Sequence, residues 1–297
     1  MTQNHGVRRA GAGLIIAGLL LPLAGLAGQN GPVTLRMKFK PGETLKYQTT
    51  LQMNIETPMM AQNGAMKMDI SMVQNQKVLK ALPAGGGDVE VTTTDTRASM
   101  NGQPMSLPSN PPVTLTYDAQ GNVRGVKGLP KDAAPLMGGG MAGANQMQLQ
   151  GTFLPAKPVK PGDTWTMNVK LPGTTGGNAV VKGQFLKMET IGRYRTAKIR
   201  TVLTGPMNLM MNAQGQPTTD AKQAAMKMTG TMTMTVDSNL AITEGRLIRQ
   251  AGNGVMRLTM KPIGSTAGSG TAAKGNGQLP NSMAMTMKMR MGSNLIE

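Results

Sequence analysis

The chain contains no cysteine, and its only histidine is His5. Without cysteine there is no disulfide framework, no thiol nucleophile and no thiolate metal ligand. Aromatic residues make up only 2% of the sequence: three Phe, three Tyr and one Trp, scattered singly. Such scarcity removes the stacking platforms on which single-strand nucleic-acid binders depend. It also removes the interfacial aromatic girdles of an outer-membrane barrel. Apolar runs long enough to attract notice occur only near the N-terminus.

That first stretch reads MTQNHGVRRAGAGLIIAGLLLPLAGLAGQN. Arg8 and Arg9 precede an apolar core from Leu14 to Leu23, and small residues follow up to Ala27. The order matches a secretory signal peptide, expected over residues 1–27. Gly18 and Pro22 interrupt the apolar core, which falls short of the roughly 20 residues of a spanning helix. An exported protein, periplasmic or extracellular, with no integral membrane segment after cleavage, is the expectation. His5 would leave with the signal peptide. Removal takes two of the 31 basic residues and none of the 14 acidic ones, leaving a charge of +15. A surface so basic favours anionic neighbours such as lipid headgroups or acidic envelope polymers. No helix-turn-helix or zinc pattern points to nucleic acid.

After residue 32 the chain reads as strands. VTLRMKFK alternates Leu35, Met37 and Phe39 with polar residues, and PGET turns it into LKYQTTLQMNIE, which keeps the period of two. AMKMDISMVQNQKVLK places Met66, Met68, Ile70 and Met72 on one face. GDVEVTTTDTRASM has the Val and Thr content of a strand, and PVTLTYDAQGNVRGVKG reads as a hairpin. Residues 131–150, rich in Gly and Pro, break the pattern and read as a linker. Beyond them VKPGDTWTMNVKL (159–171) repeats the grammar of FKPGETLKYQTTL (39–51), and a Tyr-Asp hairpin in the first half has an echo in TVDSNLAITEGRLI. The expected organisation is a signal peptide (1–27), a β unit (28–130), a linker (131–150) and a second β unit with a C-terminal Met-rich hairpin (151–297). The two units would be an internal duplication.

The paired KPGET and KPGDTW hairpins behind a signal peptide resemble an uncharacterised family of exported bacterial β-proteins. The overall pattern is similar in style to the half-barrel lipoprotein carriers. This resemblance implies an all-β fold of antiparallel curved sheets or half-barrels with an apolar concave face, and supplies no catalytic residue.

Loss of His5 with the signal peptide would exclude Ser-His and Cys-His pairs and the common zinc ligand sets. The remaining carboxylates (Asp69, Asp88, Glu90, Asp95, Asp118, Asp163, Glu189) are scattered over polar faces and turns. No cofactor and no enzymatic activity are expected. What stands out is 29 methionines, set in alternation. Met226, Met228, Met232 and Met234 share one face, with Gly230 among them as a bulge position. Met283, Met285, Met287, Met289 and Met291 share another. Thr and Lys occupy the opposite faces. Leu, Ile and Val specify a fixed core better than Met does, whereas a flexible thioether adapts to varied apolar partners. Met226, Met228, Met232, Met234, Met283, Met285, Met287 and Met289 are therefore candidates to contact a lipid or other hydrophobic ligand. The alternatives are a purely structural envelope protein and a thioether site for Cu(I) or Ag(I). That site would use Met256 and Met260 of VMRLTM with Met285, Met287 or Met289 on a paired antiparallel strand.

The exported protein should begin at Gly28, and intact-mass measurement on material recovered from its host would show this directly.

Overall fold

The computed structural model describes residues 31–58, 65–107, 111–128, 152–169, 177–212, 217–218, 220–263 and 282–296. The expected signal peptide and linker lie outside the described residues. Among the described residues there are thirteen strands: β1 (Thr44–Glu56), β2 (Met66–Ala81), β3 (Gly87–Met100), β4 (Gln103–Met105), β5 (Val113–Tyr117), β6 (Val123–Lys127), β7 (Thr164–Val169), β8 (Ala179–Ile191), β9 (Tyr194–Met211), β10 (Pro217–Thr218), β11 (Met226–Ala241), β12 (Arg246–Pro262) and β13 (Met283–Leu295). The period-two alternation expected from sequence reappears as burial: β1 reads exposed, buried, exposed along almost its whole length.

All strands join one antiparallel curved sheet in the order β6-β5-β3-β2-β1-β13-β12-β11-β9-β8-β7, with β4 on β3 and β10 on β9. The order is two meanders laid back to back. β1 to β6 run outward on one side and β7 to β12 run inward on the other. β13 fills the gap, pairing with β12 through Met256↔Met287 and with β1 through Met53↔Met289. Pro32–Glu297 thus forms one compact unit in which both expected β units share a single sheet. Among the described residues no pairing joins β6 to β7, and the sheet is not a closed barrel.

Each meander opens with the same turn. Pro at the second position and Gly at the third suit a type II turn, which needs positive φ at the third; Gly42 has φ 82° and Gly162 φ 97°. Glu43 N donates to Lys40 O, and Asp163 N to Lys160 O, both at 3.0 Å. The following contacts also correspond. Gly42 N donates to Val78 O and Val78 N to Glu43 O; Gly162 N donates to Phe185 O and Phe185 N to Asp163 O. Immediately after Val78 and after Phe185 the register with the next strand shifts by a bulge. A further bulge sits at Asp95 (φ 50°), where the β2–β3 register jumps between Ser71 and Val73. It changes the phase of β3, so Ala98 and Met100 join the same face as Val89 and Val91 despite breaking strict alternation.

At one end of the sheet two extended segments, 32–40 and 152–160, close the inner face. Val33 and Val159 form a two-hydrogen-bond bridge. Leu154 N donates to Gln120 O in the β5–β6 turn, Lys38 N donates to Gly245 O in the β11–β12 turn, and Trp165 Nε1 on β7 donates to Phe153 O at 2.8 Å. The Arg36 guanidinium bonds the carbonyls of Pro155 and Ala156. Leu35, Leu154, Val159, Phe185, Ala197, Ile199 and Leu240 form the core beneath these segments. The Phe39 and Tyr117 rings stack with centroids 5.8 Å apart, over Gly87, where any β-carbon would collide with the Phe39 ring.

Tyr47 and Tyr117 lie in this closed end, and burial pushes both phenols well above the ordinary tyrosine range. Each contributes stability that is present below about pH 10, the unfolded value, and is lost as pH climbs from there toward the folded values, because the unfolded chain releases its proton first. Urea unfolding of the Tyr47→Phe/Tyr117→Phe protein should show a shallower loss of stability above pH 10 than the parent. At neutral pH the double variant should be weaker by about 1 kcal/mol, since Tyr47 Oη donates to Leu247 O.

Candidate functional site

Directly opposed residues of antiparallel strands lie on the same face, so the register fixes which methionines meet. One row runs Met228–Met260–Met283 across β11, β12 and β13. The next Met row runs Met232–Met256–Met287. Between them Met285 faces Leu258, which faces Gly230. Met289 faces Gly254 on one side and Met53 on the other, and Met53 continues to Met68 and Met100. Met226 faces Met211 and Pro262 at the strand ends. All eight candidate ligand-contacting methionines therefore share the inner face.

Of the five alternative metal candidates, Met256 and Met287 are direct neighbours. Met260 meets Met283 rather than Met285, and Met289 has no methionine opposite it on β12. Gly230 is not a bulge, because the β11–β12 pairing passes through it without a shift. It is a close approach instead: a β-carbon there would run into the carbonyl of Arg257.

The inner face is zoned along the strands. Near the closed end come the aromatic and aliphatic side chains of the two crossing segments. Next lies a polar row, Thr49–Ser293–Gln250–Ser238, running across four strands. Thr49 and Ser293 share a hydroxyl hydrogen bond of 3.2 Å, and Gln250 Nε2 donates to Ser238 Oγ at 3.3 Å; paired in this way, buried polar groups avoid an unmet desolvation penalty. Beyond it lie the thioether rows. Met228, Met232, Met234 and Met256 are buried in them, while Met211, Met226, Met260, Met283, Met285, Met287 and Met289 are half-buried toward the far strand ends. A cavity of about 50 Å³ adjoins the polar row between Phe39, Tyr47, Tyr117, Gln76, Gln250 and Ser293. It has room for a water or two and no more.

The outer face is polar. Thr229, Thr231, Thr233 and Thr235 alternate along β11. Near the strand ends Lys227 stands directly opposite Lys261. Both are exposed. Like charges directly opposed across strands are unfavourable, and an anion between them would relieve the repulsion.

Several of the carboxylates have structural partners. Asp118 accepts from Gln120 N and Asn122 N and pairs with Arg124. Asp163 accepts from Lys160 N, Asp88 from Thr116 Oγ1, and Glu43 pairs with Arg246 at 2.7 Å. Lys187 and Asn239 bond the Glu189 carboxylate and hold it below its usual range; the Arg200 fork does the same for Asp237. Among the described residues no group of three or more His, Cys, Asp or Glu side chains could hold a metal ion. No described helix is long and apolar enough to cross a membrane.

If the deep thioethers are packed structure and the outer ones are surface, truncation should separate them. Met234→Ala, at a residue 2% exposed, should cost about 2–5 kcal/mol, and Met283→Ala under about 1 kcal/mol. Urea denaturation of the two variants measures the contrast.

No protein family matches the chain, and no curated protein matches it. Among solved structures it is similar to one described as "lipid-protein interactions in lipovitellin", at 10% identity and a TM-score of 0.45. The similarity covers 88% of this chain and 26% of that one, so the chain spans about a quarter of that structure's length.

Proposed function

We propose that this is an exported, non-enzymatic cell-envelope protein whose half-buried methionines cover the apolar chain of an anionic amphiphile. The observation that carries the reading is the gradient of burial along the thioether rows. Met234 and Met291, nearest the polar row, are packed, as are Met228 and Met232 on β11, whereas Met260, Met283, Met285 and Met287 are partly exposed on the same face. A run of half-exposed flexible apolar side chains suits a partner of variable shape. The rows are packed at depth, so the ligand lies over the far ends of the strands and is not enclosed. Lys227 and Lys261 stand on the outer face at these same strand ends, so an anionic headgroup would reach them by passing over the rim of the sheet. The two meanders, with their matching turns and bulges, are read as related units. Periplasmic or extracellular placement follows from the signal peptide expected at residues 1–27.

Oleate and the uncharged oleyl alcohol serve as paired probes, differing only in the headgroup. Oleate should bind the tighter, and Lys227→Glu/Lys261→Glu should abolish that preference while sparing the alcohol. Met285→Lys should weaken both, because a charge on the inner face opposes burial of the chain. If the parent protein retains neither probe, and native mass spectrometry of host-purified material finds no amphiphile, the proposal fails.

A further inference from the structure

Across β9, β11, β12 and β13 the half-buried, inward-facing methionines trace a shape. At the far strand ends they spread sideways, through Met211, Met226, Met260 and Met283. Deeper in they narrow to a single strand. Met285, Met287 and Met289 of β13 are half-buried, and the residues paired with them are not. Leu258, paired with Met285, is buried; so are Met256 and Ile55, paired with Met287, and Gly254 and Met53, paired with Met289. The strip stops at Met291, which is buried, and the polar row begins beyond it at Ser293.

Resting on the amphiphile reading, we infer that this strip selects a single-chain anionic amphiphile of about 16 carbons, lying along β13 with its headgroup at the rim. Width decides the number of chains. Neighbouring strands stand about 4.8 Å apart. A strip one strand wide admits one alkyl chain, whose carbons keep about 4 Å from the side chains around them. A second acyl chain would lie over residues that are already covered and would bury little new apolar area. Length decides the carbon count. Met283 to Met289 spans about 20 Å at about 3.4 Å per residue. A carbon–carbon bond of about 1.5 Å in a zigzag advances about 1.3 Å per carbon, so about 16 carbons fill the strip.

The two ends of the strip differ in chemistry, and that sets the direction. Lys261 directly follows Met260, which pairs with Met283, so the exposed Lys227 and Lys261 stand across the rim from the mouth of the strip. A carboxylate at the mouth reaches them over that rim. At the inner end Met291 is packed, and the Ser293 and Thr49 hydroxyls are already bonded to each other. The uncharged tip of the chain ends there.

Straight-chain carboxylates of about 10 to about 20 carbons, kept below their self-association concentrations, are the probes. A methylene on an open strip is covered on one side only, so each added pair of carbons should tighten binding about fourfold, up to about 16 carbons and no further. Met289→Gln removes the innermost contact and should move that break to about 11 carbons, since one step along the strip is about 6.8 Å. Met283→Gln, at the mouth, should weaken all lengths alike and leave the break in place. From equimolar mixed micelles the parent protein should retain lysophosphatidylglycerol and not phosphatidylglycerol, as read by native mass spectrometry. Affinity that climbs without a break overturns the length limit and leaves the amphiphile reading standing. So does retention of the two-chain lipid, or an unmoved break in folded Met289→Gln. If that variant does not fold, the break in the parent protein and its choice of lipid decide. Failure of every chain to bind overturns both readings.

Discussion

Everything on the inner face depends on β13 lying between β12 and β1. β13 pairs with its sequence neighbour β12 on one side, and on the other it brings together Met289 and Met53, more than two hundred residues apart. Closing so long a loop costs only logarithmically more than a short one. The return is a ladder on both sides, from Tyr47↔Leu295 to Glu56↔Thr286 and from Arg249↔Asn294 to Met260↔Met283. Without it, β1 and β12 would both present bare edges, and Leu51, Met53 and Met256 would lose their cover. Bare apolar edges recruit other chains.

Glycine placement explains how so many large side chains share a single concave face. Gly254 stands between Met234 and Met289, Gly252 between Val236 and Met291, and Gly183 beneath the Trp165 ring. Gly205 abuts Ala179, whose β-carbon would lie 2.6 Å from an added one. Large residues beside missing side chains let the sheet bend inward without overpacking. The polar row of Thr49, Ser293, Gln250 and Ser238 bounds the thioether zone toward the closed end.

The strands and the repeated Lys-Pro-Gly-acid-Thr turns were legible in sequence because both are local. Alternation survives in β1, β11 and β13, and the turn chemistry of Gly42 and Gly162 is written in four residues. The partner of each strand was only partly legible. VMRLTM and SMAMTMKMRM pair as their patterns suggest, but nothing local announces that β13 has a second neighbour in β1. Met53, Met68 and Met100 were therefore missed as continuations of the Met289 row. The Asp95 bulge was hidden as well, since a phase change looks like loss of alternation. Gly252 and Gly254 carry no apolar side chain to mark the inner face ahead of VMRLTM; in the sheet they lie in mid-strand, where pairing on both sides holds them extended.

Thioethers also give this core a property that Leu and Val lack: its polarity is chemically reversible. Peroxide or hypochlorous acid adds one oxygen to a thioether sulfur, and the resulting sulfoxide is polar and chiral. On the half-buried Met283, Met285, Met287 and Met289 of β13, several such additions would place strong dipoles along the strand that holds the two meanders together. Oxidation would therefore loosen the sheet along its middle, starting from the far strand ends and leaving the aromatic closed end intact. Sulfoxide reduction would restore the same strand without new synthesis.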